Sequence, residues 1–168
     1  INKDVKLIAH LMRRASFGAR RDELEAYAAQ GYEATVEELL TTGDSQWVGD
    51  DMVRRFDNEA SGMINGLGSA RNWVYRMITT DAPLQEKMTL FWHGIFATGI
   101  PKVINGRVLS DQIRMFRRHG IGSFDSLLLK LAKDPAMIVW LDNQDNHNGA
   151  VNENWARELL ELFSMGVG

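Results

Sequence analysis

Apolar residues recur every three or four positions along most of this chain, the spacing of one buried face on a helix. Residues 4–15 place Val5, Ile8, Leu11 and Met12 on one side, and Gly18 stops the run. Residues 20–30 predict a second helix with Leu24, Tyr27 and Ala28 inward, followed by Gly31 as a C′ residue. Residues 33–41 predict a third, with Val36, Leu39 and Leu40 inward. Residues 43–68 are rich in Gly, Asp, Asn and Ser, with Trp47 and Phe56 as isolated anchors. A short helix near 49–59 and a loop are the two readings of that stretch. From 69 to 79 a helix resumes, carrying Trp73, Met77 and Ile78.

Asp81-Ala82-Pro83 is a helix start, because proline in the first turn loses nothing by lacking its N–H. The segment that follows stacks Leu84, Met88, Phe91 and Ile95 on one stripe, with Leu90, Trp92 and Phe96 on other faces. A helix apolar on nearly every side is buried on nearly every side. Helix 83–97 is therefore the expected centre of the core. Residues 106–119 predict a basic helix, and Ser123 or its neighbour caps the next, with Asp125 in its first turn. Asp134-Pro135 starts another short helix. A polar loop over 141–150 precedes a last helix from about 153 to 164, capped by Asn152.

No strand-like alternation is sustained, and helical patterns border both Asn105-Gly106 and Asn148-Gly149. Leu, Ala and Met outnumber Val and Ile by 40 to 20, which favours helix. The expected fold is all-α: an irregular bundle of eight or nine helices around helix 83–97. At 168 residues, 45% of them apolar, the chain suits one domain with its own core, residues 1–168. It starts at Ile1 and ends on Gly166-Val167-Gly168, directly after a helical stretch, so both ends look cut.

Composition removes several classes of function. There is no cysteine, which excludes disulfide scaffolds and Cys-ligated zinc or iron–sulfur sites. No run approaches the roughly 18 to 20 apolar residues that span a bilayer. A net charge of −3 disfavours a generally basic nucleic-acid binder. Charge is segregated nonetheless: residues 101–133 balance to +5 and residues 134–168 to −5. Either the two segments dock on each other or they form separate solvated faces.

Candidate chemistry centres on three places. His93, in Phe91-Trp92-His93-Gly94, faces away from the apolar stripe, on the side of Glu86 and Thr89. It is either a satisfied core histidine or a site residue whose pKa is set by its surroundings. Gly94 beside it would let a second backbone or a ligand come close. The last helix sets Asn154, Arg157, Glu158 and Glu161 on one face, with Glu153 and Glu161 each four residues from Arg157. Facing water, these are a solvated stripe. Facing inward, Arg157 is a buried charge network and Glu158 is left as an acid, base or ligand. Asp142, Asn143, Asp145, Asn146, His147 and Asn148 make an oxygen-rich cluster, either a solvated loop or a hard-cation site, without the spacing of a calcium loop. His10 and His119 sit among arginines, His119 at a helix end where positive charge suits the dipole. No H-E-x-x-H, P-loop, G-x-S-x-G or G-x-G-x-x-G motif occurs.

Four blocks together carry a family resemblance: HLMRRASFG (10–18), PLQEKMTLFWHGIFAT (83–98), FRRHGIGSFDSLLLKLAKDPAMIVWLDN (116–143) and NENWARELLELFSMGVG (152–168). In that order the chain resembles the bacterial proteins grouped as domain of unknown function 1800. Members of that family are usually several hundred residues long, so the resemblance implies an N-terminal portion of a longer protein. It also implies an extracytoplasmic location, and assigns no reaction. His93, Asn152, Glu153, Asn154, Arg157 and Glu158 fall inside its motif blocks.

Two functions of different class follow. One is a helical scaffold or interaction module, its partner a co-exported protein or the rest of its own chain, with no nucleic acid and no transmembrane segment. The alternative is part of a metal-assisted hydrolase. Its catalytic candidates are His93, Glu158 and Arg157. Its ligand-binding candidates are Asn152, Glu153 and Asn154. A divalent metal would lie on His93, Glu158, Glu161 or Asp142.

Overall fold

The computed structural model describes residues 3–41 and 67–166. The proposed helix at 49–59, with Trp47 and Phe56, lies outside them. The described residues form nine α-helices and no strand. In sequence order these are α1 (Lys3–Ala15), α2 (Arg21–Gln30), α3 (Tyr32–Leu40), α4 (Leu67–Thr79), α5 (Pro83–Ile95), α6 (Gly106–His119), α7 (Phe124–Leu131), α8 (Pro135–Trp140) and α9 (Asn154–Glu161). One 3₁₀ turn, Asn143–Asp145, lies between α8 and α9. No helix among the described residues is long and apolar enough to cross a membrane.

α1 has Asp4 in its first turn and Arg13 and Arg14 in its last, so its end charges oppose its dipole. Gly31 alone joins α2 to α3, at φ +103°, a backbone setting that costs a side-chain-bearing residue free energy. The two helices fold back on α1, and Ile8, Met12 and Leu39 pack with Leu11, Leu24, Tyr27 and Leu84. Leu40, expected inward, is 49% exposed. Neighbouring residues on a helix point about 100° apart, and only one of the Leu39–Leu40 pair can enter so narrow a core. Thr35 takes the buried place one turn earlier, its hydroxyl donating to the Gly31 carbonyl at 2.8 Å.

A second cluster joins the later helices. Phe96, Phe116, Leu127, Leu131 and Met137 are buried together, and Trp92, Trp155 and Phe163 pack on them. Phe96 stacks on Trp92 at 5.4 Å and meets Phe163 edge-on at 5.0 Å. Each large side chain fully buried this way contributes roughly 1.5–3 kcal/mol. Gly120 is needed here for space: a Cβ would lie 2.7 Å from the Trp92 ring, whose Nε1 donates to the Gly120 carbonyl at 2.6 Å.

α5 packs against α1, α3, α4 and α6. It is not buried on nearly every side, as its composition leads one to expect. Glu86 and Thr89 are its buried residues, at 2% and 0% exposure, while Phe91 and Ile95 of the apolar stripe are 51% and 39% exposed. The stripe splits along its length: Leu84 reaches the α1–α3 cluster, Met88 is half-buried, and Phe91 and Ile95 turn outward. A polar face can be buried only where its groups are paired. That pairing is the starting point for the site.

Candidate functional site

Glu86, Thr89 and His93 lie at i, i+3 and i+7, so α5 presents them on one side. Thr89 satisfies itself, its hydroxyl donating to the Gln85 carbonyl at 2.7 Å. Glu86 is satisfied by two other helices. The Arg117 guanidinium of α6 donates through Nε to Oε1 and through Nη2 to Oε2, the second at 3.1 Å. Trp73 of α4 adds its indole N–H to Oε2 at 3.0 Å. The Glu86 side chain is 3% exposed and that of Arg117 12%. A buried carboxylate held by a forked guanidinium and an indole is a geometry-specific contact. It ties α4, α5 and α6 together.

His93 stands beside this group. Its ring meets Trp73 edge-on, with centroids 5.2 Å apart and planes at 82°. Nδ1 is buried and makes no hydrogen bond among the described residues. Burial holds the imidazole below its ordinary pKa, so the ring is neutral at neutral pH.

The last helix divides its polar residues. Its backbone run begins at Asn154, after Glu153, and ends at Glu161, earlier than the expected 164. Phe163 and Met165 continue in a wider turn, bonding back to the Glu158 and Leu160 carbonyls. Asn152 accepts from the Asn154 amide at 2.9 Å, one residue before the cap position. Arg157 and Glu161 face outward and Glu158 is turned partly in. The Arg157 side chain is 51% exposed and makes a 3.9 Å contact with its neighbour Glu158. Arg157 is thus not a buried charge network. Glu158 Oε2 is buried without a hydrogen-bond partner among the described residues.

The oxygen-rich loop is organised by its own bonds. Asp142 adopts φ +56° and its carboxylate takes Lys102 Nζ at 2.7 Å. The same Nζ also donates to the Trp140 carbonyl. Asn152 donates to the Asp142 carbonyl at 3.0 Å and its amide to Asn146 Oδ1 at 3.2 Å. Glu153 is exposed and Asn154 half-buried. His147 bonds the Asp145 carbonyl through Nδ1 and is exposed, as is His10. His119 is held below its ordinary pKa, by desolvation first and then by Lys130 and Arg118. Among the described residues no three His, Asp or Glu side chains gather as a metal ligand set.

Sequence reasoning placed Glu86 and Thr89 on His93's side of the helix but did not single out their partners. Arg117 is one of two adjacent arginines, and nothing local separates it from Arg118, which is exposed. A second buried network is as little visible in the sequence. Thr98 donates to Gln112 Oε1 at 2.6 Å, and Gln112 Nε2 donates to Asp134 Oδ2 at 2.7 Å. The Met137 amide caps the same oxygen at 2.9 Å. Desolvation is the largest influence on Asp134 and raises its pKa. The Asp134-Pro135 start signal was the visible trace of this network.

Residues 10–168 match the sequence profile of a family described as "Protein of unknown function (DUF1800)". No curated protein and no solved structure matches the sequence.

Proposed function

The chain belongs to the DUF1800 family, and we propose that within it this segment is a helical interaction module whose contact surface is the outward side of α5. One observation carries the reading. α5 buries Glu86 and Thr89 and leaves Leu90, Phe91 and Ile95 at 40%, 51% and 39% exposure. Contiguous exposed apolar side chains mark contact surfaces, and covering Phe91 and Ile95 would contribute roughly 1.5–3 kcal/mol each. Gly94 adjoins them, exposed, with nothing within 4 Å of where its Cβ would stand. A glycine there lets a partner backbone approach closely. The surface suits an apolar protein face, supplied by a co-exported protein or by another part of the same polypeptide outside the cytoplasm.

The test is Phe91→Glu combined with Ile95→Glu. The wild-type protein should bind an apolar dye and associate with rising concentration in sedimentation velocity. The double variant should do neither and unfold at the same urea concentration. A loss of several kcal/mol in the variant would place the stripe in the core and overturn the reading. A wild-type protein that neither associates nor binds dye would overturn it too.

A further inference from the structure

Two Asn-Gly pairs among the described residues sit in opposite settings. Asn105 caps α6: its Oδ1 accepts from the Arg107 amide at 3.0 Å and the Val108 amide at 3.4 Å, and Gly106 is buried as the first residue of that helix. Asn148 and Gly149 are the two central residues of a tight turn. His147 and Ala150 close it with reciprocal backbone bonds of 3.2 and 3.0 Å. Gly149 has φ +92°, and nothing lies within 4 Å of its would-be Cβ. Both residues are exposed, and the Asn148 side chain makes no hydrogen bond among the described residues.

We propose that Asn148 is a spontaneous modification site, converting to aspartate and isoaspartate in the folded protein while Asn105 is protected. The backbone nitrogen of Gly149 loses its proton to water and attacks Asn148 Cγ. A new C–N bond forms as the bond from Cγ to the amide nitrogen breaks, and that nitrogen leaves as ammonia. Water then opens the five-membered imide at one of its two carbonyls. Opening at Cγ gives aspartate, and opening at the backbone carbonyl gives isoaspartate. Nothing but water is consumed and no electron changes hands. Glycine leaves the attacking nitrogen unshielded, and the Asn148 amide is free to rotate into line. At Asn105 the same rotation would break two cap bonds.

The change has structural consequences. Either product adds a negative charge to a loop that already carries Asp142 and Asp145. Isoaspartate also lengthens the backbone inside the turn, which is incompatible with both His147–Ala150 bonds. Asn146, which holds the Asn152 amide at the entrance to α9, lies immediately before that turn.

The whole protein, incubated at mildly alkaline pH with and without urea, then digested for mass spectrometry, decides the matter. In the folded protein the peptide bearing Asn148 should gain one mass unit at least about tenfold faster than the peptide bearing Asn105, the ratio expected from the cap bonds. In urea the two rates should converge. Asn148→Gln should remove the fast gain at that peptide, because ring closure from glutamine is slower. Equal rates at the two sites in the folded protein would overturn the proposal. So would an Asn148 that converts only in urea.

Discussion

Glu86 on α5 and Arg117 on α6 form a two-bond ion pair across a sequence separation of 31 residues, and Trp73 on α4 donates to the same carboxylate. The pair has little access to water, with side-chain exposures of 3% and 12%. Its rotational setting decides which side of α5 faces the other helices. The functional reading of the outward side rests on that choice.

Removing one partner strands the other. Arg117→Met should cost roughly 3–5 kcal/mol, because the Glu86 carboxylate stays buried with only the indole N–H. Joining it with Glu86→Leu should recover part of the loss, since no uncompensated charge remains. Urea unfolding of the two single variants and the double variant measures the coupling. Strictly additive effects would mean the pair does not act as a unit.

Burial shifts His93 and Asp134 in ways that should give pH dependences of opposite sign. For His93 the folded state holds the imidazole below its ordinary value of 6.5, so the unfolded state takes up the proton first. Stability from the neutral ring is complete above that value and falls as pH drops toward the folded value. For Asp134 the folded state keeps its proton above the ordinary value of 3.8. That contribution is complete below the ordinary value and is lost as pH rises through the folded one. Compared with His93→Gln, the wild type should lose stability on acidification. Compared with Asp134→Asn, it should lose stability on alkalinisation through the carboxylate range. Urea midpoints against pH for the three proteins read both signs, and a reversed sign at either residue would contradict its assigned burial effect.

Gly94 sits in the last turn of α5, exposed and uncrowded. Gly94→Ala should therefore stabilise the fold by about 0.5–1 kcal/mol, the helix-propensity difference. If a partner backbone approaches there, the same methyl group should weaken the association expected in sedimentation. A stability gain with unchanged association would separate the glycine from the contact surface.

The helices were legible where local chemistry sets them. Pro83 and Pro135 mark starts, Gly31 marks a stop, and the Val5–Ile8–Met12 spacing marks a buried face. Residues 106–119 form a helix with those bounds because Asn105 caps its start and Gly120 follows its end. The orientation of α5 was not legible. Four apolar residues on one stripe outweigh three polar ones in any count along the helix. The balance reverses only through Arg117 and Trp73, which lie on other helices. The last helix shows the same limit: Arg157 and Glu158 are adjacent and about 100° apart, so one turns inward and the other does not. Sequence spacing grouped them, and three-dimensional packing separated them.

The absence of cysteine permits a direct measurement of the orientation of α5. Phe91→Cys and Thr89→Cys would each give a protein with a single thiol. Under native conditions the thiol introduced at 91 should react with an alkylating reagent nearly as fast as in urea. The one at 89 should be slowed by at least about tenfold, since it reacts only through opening of the structure. Protection at 91 with rapid reaction at 89 would show that the apolar stripe is the core, and the proposed contact surface would not exist.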